Sequence, residues 1–85
     1  MEESSRSITD RSEEEIRRAV IAQYIEYRKR KGITQQDIAD SMGIKRPNIS
    51  RFESGNYNPS LDMLIRMADK MDLQIEITLR EKGDK

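Results

Sequence analysis

Apolar positions along the chain fall into four stretches of helical spacing followed by one of alternating spacing. The first helical stretch opens at Ser12-Glu13-Glu14-Glu15, which fits a capping box in which the Ser12 hydroxyl accepts from the amide of Glu15 and the Glu15 carboxylate returns to the amide of Ser12. Three glutamates suit the positive end of a helix dipole, the cluster Arg28-Lys29-Arg30-Lys31 suits the negative end, and Gly32 is a stop. Ile16, Val20, Tyr24 and Tyr27 recur at i, i+4, i+8 and i+11 and are expected to face the core. Ile21 and Ile25 form a second pair on the flank, either satellite core or a surface awaiting a partner.

Thr34 reads as the next N-cap, opening a helix from Gln35 to Met42 with Ile38, Ala39 and Met42 inward and Gly43 at its end. Ile44 leads into a third helix from about Arg46 to Glu53, with Ile49 and Phe52 buried and Pro47 in its first turn, where a missing amide costs nothing. Gly55-Asn56-Tyr57-Asn58-Pro59 is a turn cluster. Ser60 caps a fourth helix to about Met71, for which Leu61, Leu64, Ile65, Ala68 and Met71 give the inward spacing.

The period then switches to two. Leu73, Ile75, Ile77 and Leu79 alternate with Gln74, Glu76, Thr78 and Arg80, the pattern of a strand with one buried face. No second strand follows it in the chain, so its amides and carbonyls call for a partner from another molecule. Three readings stand: the same strand of a second copy across a twofold axis, a heterologous protein, or a non-strand extension of the fourth helix.

Composition narrows the function classes. Sixteen Lys and Arg against 16 Asp and Glu leave zero net charge, which excludes a polybasic protein held to nucleic acid by bulk charge. The absence of His and Cys excludes imidazole and thiolate metal sites, Ser–His and Cys–His nucleophile systems and disulfides, so no cofactor, metal site or catalytic residue is assigned. At 85 residues one small domain is expected, with 1–11 expected as a flexible polar arm. The opening MEESSRSITD is acidic and polar, unlike a secretion signal, and no apolar run is long enough for a membrane span, so a cytoplasmic location and no membrane partner are expected.

The centre of the chain carries the functional signal. Ala39 falls where two steeply crossing helices approach closely, Gly43 where the backbone must turn left-handed, and Ile49 where the third helix anchors on the core. With Ile38, Met42, Ile44 and Phe52 around them, this spacing is a helix-turn-helix signal, and DNA binding is the reading set against a plain helical bundle.

On these residues the stretch from about Val20 to Met71 resembles the XRE (Cro/C1) helix-turn-helix family of phage repressors. Arg28, GITQQDIADSMGI, KRPNISRFESG and NPSLDMLIRMADKM carry the likeness. The closing LQIEITLRE is similar to the antitoxin subset of HipB and HigA type, in which a final strand pairs between protomers. The resemblance implies that the third helix enters the major groove, with Lys45, Arg46, Asn48, Ser50 and Arg51 able to reach base edges and Pro47 offering an apolar surface to a thymine methyl. Arg46 and Arg51 suit bidentate contact with guanine, where family repressors often carry glutamine at the Arg46 and Pro47 positions and read adenine. It further implies that Gln35, and more weakly Gln36, meet phosphate at the start of the second helix, and that Asn56, Tyr57 and Asn58 approach the phosphates. Arg28 and Glu53 match a family pair that bridges the first helix to the end of the third, a structural ion pair.

The expected fold is an all-α, lambda-repressor-like helix-turn-helix domain of four to five helices over 12–72, with one C-terminal β-strand over 73–81 pairing across a homodimer and a tail over 82–85. The expected function is a homodimeric repressor of a palindromic double-stranded DNA operator, preferentially the antitoxin that autoregulates its operon and neutralises a cognate toxin protein. A phage or chromosomal regulator without a toxin comes second and a protein–protein adaptor bundle third; an enzyme is not expected.

Overall fold

A computed structural model describes residues 12–83, so the expected arm, 1–11, and the end of the expected tail lie outside the described residues. Four helices follow in order: α1 (Glu13–Arg30), α2 (Gln35–Met42), α3 (Arg46–Ser54) and α4 (Leu61–Lys70). None of them is long and apolar enough to cross a membrane.

Local chemistry sets each boundary. The Ser12 hydroxyl accepts from the Glu15 amide at 3.2 Å, and the Ser12 amide donates to the Glu15 carboxylate at 3.1 Å. Thr34 makes the same box with Asp37, at 2.9 and 3.0 Å. The Thr34 backbone amide, and then its hydroxyl, hold the Asp37 carboxyl below the usual carboxylate range. Ser60 caps α4 by accepting from the Met63 amide at 3.0 Å. Gly43 ends α2 in the left-handed conformation, φ 71°, and the Ile44 amide then reaches back to the Ala39 carbonyl at 3.0 Å. The end of α4 closes the same way without glycine. Asp72 sits at φ 64°, a conformation that Asp tolerates better than most residues, and the Leu73 amide donates to the Ala68 carbonyl at 2.8 Å.

Ile38, Ala39, Ile49 and Phe52 bring α2 and α3 together, and the complete burial of Ala39 leaves no room for a larger side chain at the crossing. Tyr24 of α1 meets the Phe52 ring edge-on, with centroids 5.6 Å apart, and its hydroxyl donates to the Leu64 carbonyl of α4 at 2.8 Å. Burial there raises the Tyr24 pKa above its ordinary value.

Two helices bury a different face from the one their strongest apolar residues indicate. On α1 the buried residues are Ile21, Tyr24 and Arg28, while Ile16, expected inward, is 50% exposed. A charged side chain occupies the next turn of the true stripe, so a reading that admits only apolar residues finds the neighbouring phase. On α4 the core face is Met63, Met67 and Ala68, with Met71 just beyond, and Leu61 and Ile65 lie on the surface. Unbranched methionine can fill an irregular core gap that a branched side chain would have to match in shape.

Arg28 is buried because its charge is met in full. Its Nε and Nη2 donate to the two carboxylate oxygens of Glu53 at 2.6 and 3.0 Å, and Nη1 donates to the Ile33 carbonyl at 2.9 Å. Both side chains are 11% exposed. One bidentate pair therefore joins the end of α1, the turn into α2 and the end of α3.

The C-terminal segment departs from the expected strand. Residues 73–81 carry no regular secondary structure, and among the described residues no strand is present. Only the first part of the alternation is used by the chain itself. Leu73 and Ile75 are half-buried against the helices, whereas Ile77 is 64% and Leu79 91% exposed. A ladder needs a second extended segment, and the single chain supplies none.

Gly43→Val should lower the melting temperature and Gly43→Asn should lower it less. A Cβ there meets nothing within 4 Å, so only the left-handed backbone is at stake, worth about 1–2 kcal/mol or roughly 4–15 °C in a domain of this size; thermal unfolding by circular dichroism measures it. Arg28→Met should cost about 3–5 kcal/mol by stranding the Glu53 carboxylate. The Arg28→Met/Glu53→Met double variant should recover part of that loss, which urea midpoints of the two variants will compare.

Candidate nucleic-acid interface

Helix α3 divides into two faces. Ile49 and Phe52 are fully buried and Glu53 is held by Arg28, while Arg46, Pro47, Ser50, Arg51 and Ser54 are exposed at positions that follow one side of the helix. Lys45, the N-cap residue, is exposed beside them. Asn48 lies on the flank and is half-buried, so it is less accessible than the other residues expected to read bases. The result is a cationic stripe with a proline at its start, broad enough for a helix that enters a groove by its first two turns.

The start of α3 also differs electrostatically from the other helix starts. Acidic residues occupy the first turns of α1, α2 and α4, namely Glu13 to Glu15, Asp37 and Asp62, whereas α3 has none and no side chain caps it. Its positive end is thus reinforced by Lys45 and Arg46 instead of being neutralised.

The start of α2 is tied to this stripe by a relay through the core pair. Gln35 donates its amide to Glu53 Oε1 at 2.9 Å, and its carbonyl oxygen accepts from Arg46 Nη1 at 3.2 Å. Arg28, Glu53, Gln35 and Arg46 therefore form one chain of hydrogen bonds, from the buried end of α1 to the exposed head of α3. Arg46 is braced through one terminal nitrogen of its guanidinium, which reduces the side-chain freedom it would lose on gripping a ligand. No spacing rule exposes the Gln35–Arg46 contact, because it depends on how steeply α2 and α3 cross. The burial of Glu53 next to an exposed cationic helix was the available hint.

The remaining expected residues are placed as follows. Gln36, exposed on α2, donates to Asp40 one turn on at 2.9 Å. Asn56 and Asn58 are exposed in the loop after α3, and the Asn56 amide donates to the Ser54 hydroxyl at 3.3 Å. Tyr57 is half-buried, with its hydroxyl 3.1 Å from the Met63 sulfur, so the ring faces α4. Gln35 and Arg46 are brought together with the cationic stripe, and Tyr57 is turned to the core.

Comparison with known proteins agrees with this geometry. The Helix-turn-helix family profile matches residues 25–77, which take in α2, α3, α4, the end of α1 and the start of the C-terminal segment. An uncharacterised HTH-type transcriptional regulator of Haemophilus influenzae is 38% identical over 78 residues, covering 85% of this chain and 80% of that protein. The uncharacterised HTH-type transcriptional regulator YqaE of Bacillus subtilis is 33% identical over 57 residues, and Antitoxin HigA1 of Mycobacterium tuberculosis is 36% identical over 66. The matches cover 67% and 78% of this chain but 49% and 44% of those proteins, so the chain spans about half their length or less. No solved structure matches at a significant level. With a profile that spans most of the chain and a two-helix unit built as its residues require, the chain belongs to the XRE-type helix-turn-helix family.

Proposed function

We propose that the chain is a homodimeric, sequence-specific transcriptional repressor whose residues 12–72 bind DNA and whose residues 73–81 join two copies. The observation that carries this reading is the exposed stripe of α3 with Arg46 braced by Gln35. Arg46 and Arg51 project guanidinium groups whose forked donors match guanine O6 and N7, with Ser50 between them and Pro47 toward a thymine methyl. Lys45, Gln36, Asn56 and Asn58 lie around that stripe and supply phosphate contacts, and Gln35 adds one while it holds Arg46. Tyr57 acts mainly as packing beneath the loop. A twofold dimer would present two such helices to half-sites about 34–36 Å apart on a palindromic operator.

Within this reading the preferred biology is that of an antitoxin that represses its own operon and neutralises a toxin. Likeness to Antitoxin HigA1 over 78% of this chain supports it, as does the C-terminal segment left open for pairing. A regulator without a toxin is the second reading, favoured by the Haemophilus relative, of which the match covers 80%. Co-purification with the product of the adjacent reading frame separates the two.

Arg46→Ala and Arg51→Ala should each weaken binding to an operator selected from random duplexes by about 1–3 kcal/mol, or roughly 5- to 150-fold, with unchanged circular dichroism. Unchanged gel-shift affinity would remove α3 as the reading helix. Ile77→Glu should sediment as a monomer, because it places a charge on the apolar face of the joining segment; a persistent dimer would locate the interface elsewhere.

A further inference from the structure

Residues 74–80 form the least satisfied part of the described chain. The Leu73 amide is engaged by the Ala68 carbonyl, and beyond it no backbone hydrogen bond within the described residues involves 74–80. The apolar face of the segment is half covered: Leu73 and Ile75 lie on the helices, and Ile77 and Leu79 project past them. Beside this segment a cleft is lined by Ile65, Asp69, Asp72, Leu73, Gln74 and Ile75. Ile65 is 43% exposed there, next to two carboxylates.

We infer that this face takes the same segment of a second copy in one antiparallel register, with Glu76 on the twofold axis, Leu73 opposite the partner's Leu79 and Ile75 opposite the partner's Ile77. The inference rests on the dimer proposed above and goes on to specify its geometry. Directly opposed residues of an antiparallel pair share a face, so every register that sets an apolar residue against a polar one is lost. Every register with a residue on the axis keeps the faces matched, and those centred on Ile75, Glu76 and Ile77 overlap the segment most fully. With Ile75 on the axis, Leu79 falls opposite Met71, already 2% exposed in its own core, and Arg80 opposite Lys70, a like charge. With Ile77 on the axis, Leu73 falls opposite Glu81. Only with Glu76 on the axis do all four apolar residues find apolar partners within the segment itself, so that each protomer's projecting half lies on the other's seated half.

Charge selects the same register. It sets Arg80 opposite the partner's Asp72, at the mouth of the cleft that also holds Asp69. The Leu73 amide is engaged by the Ala68 carbonyl; in a paired, extended segment the odd-numbered amides would follow it to that side, which would leave Gln74, Glu76 and Thr78 for the ladder and make the apolar pairs the close ones, with Cα atoms about 4.5 Å apart. The cost is one pair of like charges at the axis, where Glu76 meets the partner's Glu76 on the solvent side.

The chain has no cysteine, so single cysteines report the register cleanly. Glu76→Cys, Ile75→Cys and Ile77→Cys are oxidised under mild conditions and run on non-reducing gels. Glu76→Cys should become a covalent dimer almost completely while the other two stay largely uncrosslinked, since the axial pair lies within disulfide reach. Preferential cross-linking at Ile75→Cys or Ile77→Cys would overturn the register and leave the strand dimer standing. Cross-linking at none of the three would overturn the strand dimer as well. A second measurement does not depend on cysteine. Asp72→Asn and Arg80→Gln should each weaken the dimer in sedimentation, and the double variant should be no weaker than either single one; additive losses would overturn the assigned pair. Glu76→Gln should tighten the dimer, and no gain would likewise count against Glu76 at the axis.

Discussion

A guanidinium enters this small core only under strict terms. Arg28 is the buried charge around which α1, the α1–α2 turn and the end of α3 are arranged: Nε and Nη2 are held by Glu53 of α3 and Nη1 by the Ile33 carbonyl of the turn. Removing the charge from water costs several kcal/mol, and the attraction of Glu53 offsets this only while the bidentate geometry holds. The pair thus behaves as a gauge of the fold. A helix rotated by a fraction of a turn would leave a charge buried and unmatched, so the pair selects one packing among those that the apolar residues alone would accept.

The same carboxylate reaches outward. Glu53 Oε1 accepts from both Arg28 and Gln35, and Gln35 in turn steadies Arg46. Core and candidate reading surface therefore share one polar network, whose members act cooperatively. The exposed stripe of α3 inherits its position from the core more than from its own short length, since nine residues make a marginal helix in isolation.

Helix starts and stops were readable in the sequence because they are local: Ser12, Thr34 and Ser60 cap, and Gly32 and Gly43 stop, through contacts within a few residues. The burial of Ala39, Gly43's left-handed turn and the Arg28–Glu53 pair also agree with the sequence reading. Where the reading slipped, the cause was tertiary. Arg28 interrupts the apolar stripe of α1, so the expected face of Ile16, Val20, Tyr24 and Tyr27 holds at Tyr24 but passes over Ile21, and Ile16 lies on the surface. On α4, methionines took core positions that leucine and isoleucine appeared to claim. Two intramolecular contacts were not readable from spacing, because the crossing of α2 and α3 gives Gln35 its partner in Glu53 and the packing of the loop on α4 gives Tyr57 its partner in Met63. Period two at 73–79 was readable, whereas a ladder partner is not a property of one chain.

The methionine face of α4 carries a further consequence. Met63, Met67 and Met71 are all buried, and they line much of what α4 offers to the core. A chain without cysteine would be regarded as indifferent to oxidants, yet a sulfoxide at any of these sulfurs is a strong dipole in an apolar site. Packing shields them while α4 is docked, so the rate of damage follows how often that helix opens, and the oxygen added during such an opening opposes its return. The thioether that lets α4 fit an irregular core also makes the helix the oxidation-sensitive wall of the domain.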